Sequence, residues 1–145
     1  MIFSAQQLFS DDQAVTATAI STNVIDLGVP GTPYDAAATL NQDVGKGNKI
    51  PVLVQVTEDF ATLTSLTVTI EVSAAAGLTS PQVLHSETIA VADLVAGKQL
   101  SVDVLPNNAN LRYLGVRYTV NGSNATAGAI TAGITMGNQT NVTGA

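Results

Sequence analysis

The sequence predicts an all-β protein: an antiparallel β-sandwich of about eight strands, of jelly-roll type, with little helix. Two observations carry this prediction. Thr, Val and Ile together supply 43 of the 145 residues, and β-branched residues fit pleated surfaces better than helices. Apolar and polar side chains also alternate along most of the chain, which is the pattern of strands with one face on a core.

Alternation is clearest at residues 66–73, where Leu66, Val68, Ile70 and Val72 share one face of a predicted strand. Residues 50–56 repeat the pattern, and this strand starts at Pro51 or lies on a sheet edge, because proline donates no ladder hydrogen bond. The remaining predicted strands are residues 15–20, 23–27, 82–91, 100–104, 111–120 and 127–136.

Turn-forming residues separate these runs at positions 30–33, 45–48, 106–108 and 121–124. The last stretch joins two alternating runs, which predicts a hairpin loop. Helix is expected only as one turn at residues 5–9 and a short turn at residues 93–97, with Asp93 as N-cap and Gly97 as C-cap. Eight strands favour a jelly roll over an immunoglobulin-like fold, whose Cys and Trp pattern the chain lacks.

Length predicts one domain, at residues 14–145, preceded by an N-terminal arm or strap at residues 1–13. The absence of cysteine excludes disulfides and thiol chemistry. A net charge of −6 argues against nucleic-acid binding, which needs a positive surface. No targeting segment or membrane span is expected. Only 11% of the residues are charged, which fits either a surface covered by protein partners or an ordinary extracellular β-domain.

Catalytic chemistry is not expected, and no cofactor or metal site is predicted. His85 is the single histidine, and Glu87 shares its strand face, but no nucleophile motif accompanies them. Adjacent carboxylates such as Asp11 and Asp12 point apart on an extended chain. A calcium ion held by loop oxygens stays open, although the chain has no EF-hand loop.

Two segments are candidate protein interfaces. In the first, Phe3, Leu8 and Phe9 precede the first predicted strand and form either a strap over the chain's own core or an anchor for a neighbour. The second segment, residues 111–120, contains Arg and Tyr, two residue types that are enriched at protein interfaces. It is either an interface or a central strand whose Tyr hydroxyls reach the rim of the sheet. Its candidates are Arg112 with Tyr118 on one face, and Tyr113 with Arg117 on the other.

Three segments of the chain resemble the capsid cement (decoration) proteins of tailed bacteriophages. They are the opening Met1-Ile2-Phe3 with the run Leu8-Phe9-Ser10-Asp11 to Gly28, the turn Asp93-Leu94-x-x-Gly97, and the closing Arg112-Tyr113-Leu114-Gly115-Val116-Arg117-Tyr118 with Thr126 to Ile134. Together they extend the resemblance over essentially the whole chain.

The resemblance implies a jelly-roll protein that is made in the host cytoplasm and then binds the outer surface of an icosahedral head. It also implies contacts with several subunits of the major capsid protein and homo-oligomers, with a dimer as first choice and a trimer as second. It supplies no catalytic, cofactor or metal residues. The alternative is a phage tail or fibre-tip β-domain that recognises a host-surface glycan.

Overall fold

Seven antiparallel strands form the described part of the protein, a computed structural model covering residues 2–40, 42–47 and 49–137. In chain order they are β1 (Phe3–Ala14), β2 (Ala19–Ile20), β3 (Ile25–Asp26), β4 (Val52–Ser73), β5 (Gln82–Ala90), β6 (Gln99–Val102) and β7 (Tyr113–Thr135). A 3-10 turn at Val91–Asp93 is the helical element of these residues. The predicted all-β antiparallel architecture with little helix is therefore confirmed.

The two longest strands, β4 and β7, pair with each other over their whole length and bend together near the middle. Their ladder runs from Val52 opposite Ile134 to Ser73 opposite Tyr113, with register shifts between Val56 and Ser65. The backbone has a positive φ at Thr62, Gly122 and Gly128, a conformation that glycine adopts readily. At these positions the strand pair can change direction without losing its pairing beyond the bend.

Each half of this bent pair is the centre of one layer. In the first layer the order is β1, the second half of β7, the first half of β4, and β6. In the second layer β2 and β3 flank the first half of β7, and β5 flanks the second half of β4. The Ser10 hydroxyl of the first layer lies 2.8 Å from the Tyr118 hydroxyl of the second, so the layers face each other as a sandwich.

The core lies between these layers, and the face of β4 that lines it is the one predicted from the sequence. Leu66, Val68, Ile70 and Val72 are all buried, and they join a single apolar cluster with Phe9 and residues of the first layer. Because the two central strands belong to both layers, one hydrogen-bonded network encloses this core. The jelly-roll subtype stays a prediction.

The predicted hairpin loop at residues 121–124 is wrong. These residues lie inside β7, and Leu63 and Ser65 of β4 pair with Gly122 and Asn121. The two runs on either side are successive halves of one strand, each paired with β4 rather than with the other. The predicted strands at 50–56 and 66–73 are joined in the same way within β4.

Both predicted helical turns differ from the structure as well. Residues 5–9 lie within β1, because their backbone pairs with β7 between Phe3 opposite Thr135 and Ser10 opposite Ala132. The turn after β5 begins earlier than predicted, with Ala90 at the N-cap position and Leu94 at the C-cap. Asp93 is therefore its last residue, and Gly97 occupies a later turn with a φ of 92°.

The fold has two distinct ends. The bend end contains the bends at residues 58–63 and 121–128 and the connection at residues 91–98, which hydrogen-bonds to it through Phe60 and Val56. The open end contains the described parts of the loop at residues 27–51 (27–40, 42–47 and 49–51) and the loops at residues 74–81 and 103–112, where the long strands begin and end. Loops 27–51 and 103–112 meet there, since the Val44 N–H donates to the Ala109 carbonyl.

Candidate interaction surface

The N-terminal candidates pack on the chain's own sheet. Phe9 is fully buried in the core, whereas Phe3 and Leu8 are half-buried. A Cβ atom placed on Gly133 would lie 3.0 Å from Phe3 Cδ1 and 3.1 Å from Leu8 Cδ2, so both side chains lie against β7 at this glycine. Residues 3–13, predicted as an arm or strap, belong to edge strand β1.

A groove of about 430 Å³ opens beside β1. Its lining comes from Ala5, Leu8, Phe9, Ser10, Asp11, Thr22 and Asn23. The backbone N–H of Asn23 donates to the Phe9 carbonyl at 2.9 Å, and Asn23 Nδ2 donates to the Leu8 carbonyl at 2.7 Å. These bonds occupy part of the outer edge of β1 and fix the wall of the groove.

Arg112 lies at the open end and pairs with Asp26. Its Nε and Nη2 donate to the two carboxylate oxygens at 2.8 and 2.7 Å, and its Cζ lies 4.9 Å from the centre of the Tyr113 ring. The Arg112 hydrogen bonds, helped by the Gly28 N–H, lower the pKa of Asp26 to about 2. The pair is accessible to solvent, which limits its contribution to stability.

Arg117 has a different environment, because its partner Glu71 is only 3% exposed. Arg117 Nε lies 3.0 and 3.1 Å from the two carboxylate oxygens, and its Nη2 donates to the Leu78 carbonyl at 2.7 Å. The Thr69 hydroxyl also donates to Glu71 at 2.7 Å. Arg117 therefore holds the loop at residues 74–81 against the second layer.

Tyr118 is a core residue. It is fully buried, its hydroxyl contacts Ser10, and burial raises its pKa above the usual value. The predicted grouping of Arg112 with Tyr118 is wrong, since Arg112 precedes β7 and stacks on Tyr113. Among the seven candidate interface residues, Phe9 and Tyr118 thus offer no exposed surface in the folded chain.

Tyr34, which was not among the candidates predicted from the sequence, is fully exposed. It follows Pro33 in a turn closed by the Ala36 N–H, which donates to the Pro33 carbonyl at 3.1 Å. A second bond, from the Leu40 N–H to the Gly31 carbonyl at 3.0 Å, closes the base of this projection. The sequence did contain a signal for this exposure, since Tyr34 lies in a turn rich in Gly and Pro. Such turns run over the protein surface and do not direct their side chains into a core.

Exposed apolar side chains gather at the open end. In the described ranges, large exposed hydrophobic residues near this end are Ile2, Val29, Tyr34, Leu40, Val83, Val104 and Met136, whereas Val95 lies at the bend end. Concentrations of exposed apolar surface of this kind are typical of binding surfaces.

Charge has the opposite distribution. The bend end carries five exposed carboxylates, Asp11, Asp12, Glu58, Asp59 and Asp93, and one basic residue, Lys98. At the open end Lys46, Lys49 and Arg112 nearly balance Asp26, Asp35, Asp43 and Asp103. One end is therefore acidic, while the other is apolar and close to neutral.

Side chains that could act in catalysis or bind a metal ion are few in residues 2–40, 42–47 and 49–137. His85 Nε2 lies 3.9 Å from Glu87 Oε2, beyond hydrogen-bonding distance. Nowhere in these ranges do three His, Asp or Glu side chains gather closely enough to hold a metal ion. The same ranges contain no helix with the length and apolarity to cross a membrane.

A sequence profile of the Bbp16 family matches residues 9–134, from the middle of β1 to the residue before the last of β7. The chain belongs to the Bbp16 family. This family is phage-related, so the Bbp16-family protein described here is a phage structural protein associated with the virion. Both layers of its sandwich fall inside the matched range, apart from residues 3–8 of β1 and Thr135 of β7. No curated protein matches the chain.

Proposed function

We propose that this Bbp16-family protein is a capsid cement protein that binds the outer surface of an icosahedral phage head. In this role it joins neighbouring subunits of the major capsid protein and acts without catalysing a reaction. Family membership supports a virion role, and the whole-chain resemblance to cement proteins supports the outer capsid surface. The polarised surface is the structural observation that carries the proposal.

The open end is the surface that we assign to the shell. Its exposed apolar side chains include Tyr34, a residue type enriched at interface hot spots. Two hydrogen bonds brace the Tyr34 projection, which lowers the entropy that is lost when it is immobilised by a partner. The acidic bend end then faces water, where its carboxylates stay solvated and keep decorated particles apart.

Binding of this kind stabilises a shell by mass action. A protein that binds assembled subunits and not separated ones shifts the equilibrium toward the assembled shell. Contacts that bridge two subunits have this property, because the complete site exists only after assembly. Many copies on one head would multiply a modest stabilisation per copy.

The direct test mixes the purified protein with expanded heads that lack their cement protein. We expect saturating, stoichiometric binding and a higher temperature of head rupture. Tyr34→Ala should weaken binding about tenfold or more, as expected for a central aromatic anchor. Val95→Ala is the matched control, since it truncates an exposed apolar side chain at the bend end and should bind like the unmodified protein.

Failure to bind heads would contradict the cement role. Binding to a glycan array without affinity for heads would favour the tail or fibre-tip alternative instead. An equal loss of head binding for Val95→Ala and Tyr34→Ala would exclude the open end as the docking surface.

A further inference from the structure

An extended segment lies in the open-end loop between β3 and β4. Its sequence is Val29-Pro30-Gly31-Thr32-Pro33, and it contains no strand residue, turn or bend. The next turn of the chain begins at Tyr34. Residues 29–33 therefore run as one extended stretch that ends directly before the exposed tyrosine.

Proline chemistry restricts this segment to the polyproline II region. The rings of Pro30 and Pro33 hold φ at about −65°. Val29 and Thr32 each precede a proline, which disfavours the α region for them and favours extended or polyproline II conformations. The φ of Gly31 lies outside the left-handed region. The covalent structure thus restricts every residue of the segment except the glycine, and the segment needs no partner to adopt this conformation.

The segment is accessible, and its backbone retains free acceptors. Val29 is 71% exposed, Thr32 and Pro33 are also exposed, and Pro30 is half-buried. Among the described residues, no backbone N–H donates to the carbonyls of Val29, Pro30 or Thr32. A polyproline II segment makes no internal hydrogen bonds, so a partner can donate to these carbonyls.

The rest of the loop holds the segment in place. The Leu40 N–H donates to the Gly31 carbonyl at 3.0 Å, and the Ala36 N–H donates to the Pro33 carbonyl at 3.1 Å. A longer contact of 3.4 Å joins the hydroxyls of Thr32 and Thr39. A segment that is rigid in itself and braced at its end loses little conformational entropy when a partner binds it.

The two prolines have the spacing of a recognition motif. A polyproline II helix has about three residues per turn, so Pro30 and Pro33 lie on one edge and Gly31 lies on another. Segments with two prolines at this spacing bind grooves lined with aromatic side chains, which stack against the flat proline rings. Residues 29–34 carry no charge, so ring stacking rather than an ion pair is the contact that they can offer.

We propose that residues 29–33 are a polyproline II ligand that inserts into an aromatic-lined groove of the major capsid protein. The proposal rests on the proposed function, because it specifies how the open end contacts the shell. In this contact Pro30 and Pro33 face the aromatic side chains, Val29 packs beside them, and Tyr34 extends the contact past the end of the groove.

Head binding by proline variants tests the contact. Pro30→Ala and Pro33→Ala should each raise the dissociation constant for expanded heads about tenfold, since each removes a stacked ring and frees the backbone of the unbound segment. Gly31→Ala is the matched control. Gly31 lies on a different edge, and a Cβ atom there meets nothing within 4 Å, so this variant should bind like the unmodified protein. Thermal unfolding followed by circular dichroism checks that all three variants are equally folded.

A double variant separates proline spacing from composition. Thr32→Pro combined with Pro33→Thr keeps the same residues but moves the second proline one position closer to the first, onto another edge. It should bind heads as weakly as the alanine variants.

Photo-cross-linking identifies the partner surface. The full chain carrying Val29→p-benzoylphenylalanine is bound to heads and irradiated, and mass spectrometry locates the linked residues. We expect cross-links to a segment of the major capsid protein that contains Trp or Tyr.

Three results would overturn the polyproline II contact: natural affinity in both proline variants, an equal loss for Gly31→Ala, or cross-links confined to segments without aromatic residues. The cement role would survive each of them, provided that the unmodified protein binds heads. Absence of head binding by the unmodified protein would instead contradict the cement role and, with it, this contact.

Discussion

The contact between Glu71 and Arg117 shows how a single buried charge is stabilised in this fold. Glu71 accepts hydrogen bonds from the arginine and from Thr69, while Arg117 also donates to the Leu78 carbonyl. A buried carboxylate is costly unless such partners compensate its lost hydration. The pair therefore holds the loop at residues 74–81 against the second layer of the sandwich.

Replacing Glu71 with Gln should lower the free energy of unfolding by about 1–3 kcal/mol. The half-buried Arg117 would keep its charge and lose its anionic partner. Urea unfolding measures the change. Asp26→Asn is the control, because it removes the partner of an exposed arginine and should cost much less. Equal losses for the two variants would contradict the importance of burial.

Tyr118 gives the fold a pH dependence at alkaline pH. Burial raises the pKa of its hydroxyl in the folded chain. Its contribution to stability is therefore complete below the unfolded pKa of about 10 and is lost as the pH rises from there toward the folded value. Only the unfolded chain ionises at this residue in that interval.

Urea unfolding between about pH 9 and pH 12 measures this contribution, since the window brackets the unfolded pKa of tyrosine. The free energy of unfolding should fall with pH for the natural chain and less steeply for Tyr118→Phe. The variant retains Tyr34 and Tyr113, so the difference in slope reports on residue 118. Identical slopes would contradict the raised pKa.

At the scale of elements, the bend in β7 depends on glycine. Gly128 has a φ of 135°, and a Cβ atom at this position would collide with the Phe60 ring of β4. The absence of a side chain thus allows both the backbone conformation and the packing of the bend. Few residues can replace it, because an L side chain is strained at this φ whatever the space around it.

Gly128→Ala should destabilise the protein by about 1–3 kcal/mol, since it combines backbone strain with overpacking against Phe60. Thermal unfolding followed by circular dichroism measures the loss. Gly77→Ala serves as the control, because a Cβ atom there meets nothing within 4 Å. A comparable drop in the control would mean that the bend has no special requirement for glycine.

The strands were predictable where alternation is regular, but their continuity was not. A Gly- and Asn-rich stretch such as residues 121–124 satisfies the local requirements of a hairpin loop and of a bent strand equally. The choice depends on β4, which pairs with both halves of β7. Residues 5–9 follow the same principle, since pairing with β7 overrides a weak local helix preference.

The candidate surface was predicted only in part, because residue type does not distinguish an interface anchor from a core residue. Phe9 and Tyr118 belong to types found in both places, and the structure buries them. The exposure of Tyr34 had only one local signal, its position in a Gly- and Pro-rich turn, and that signal does not show how the open-end loop folds. Arg112 and Tyr113 lie together at the open end as neighbours in sequence.

For the whole molecule, the bent strand pair predicts an order of folding. Strands β4 and β5 are close in sequence, so pairs such as Val72 with Gln82 close a short loop. The first half of β7 must cross a longer span to join them, and the pairing of Phe3 with Thr135 closes the longest one. Because longer closures cost more entropy, we expect β5, the second half of β4 and the first half of β7 to pair first and to act as the template on which the other strands are added.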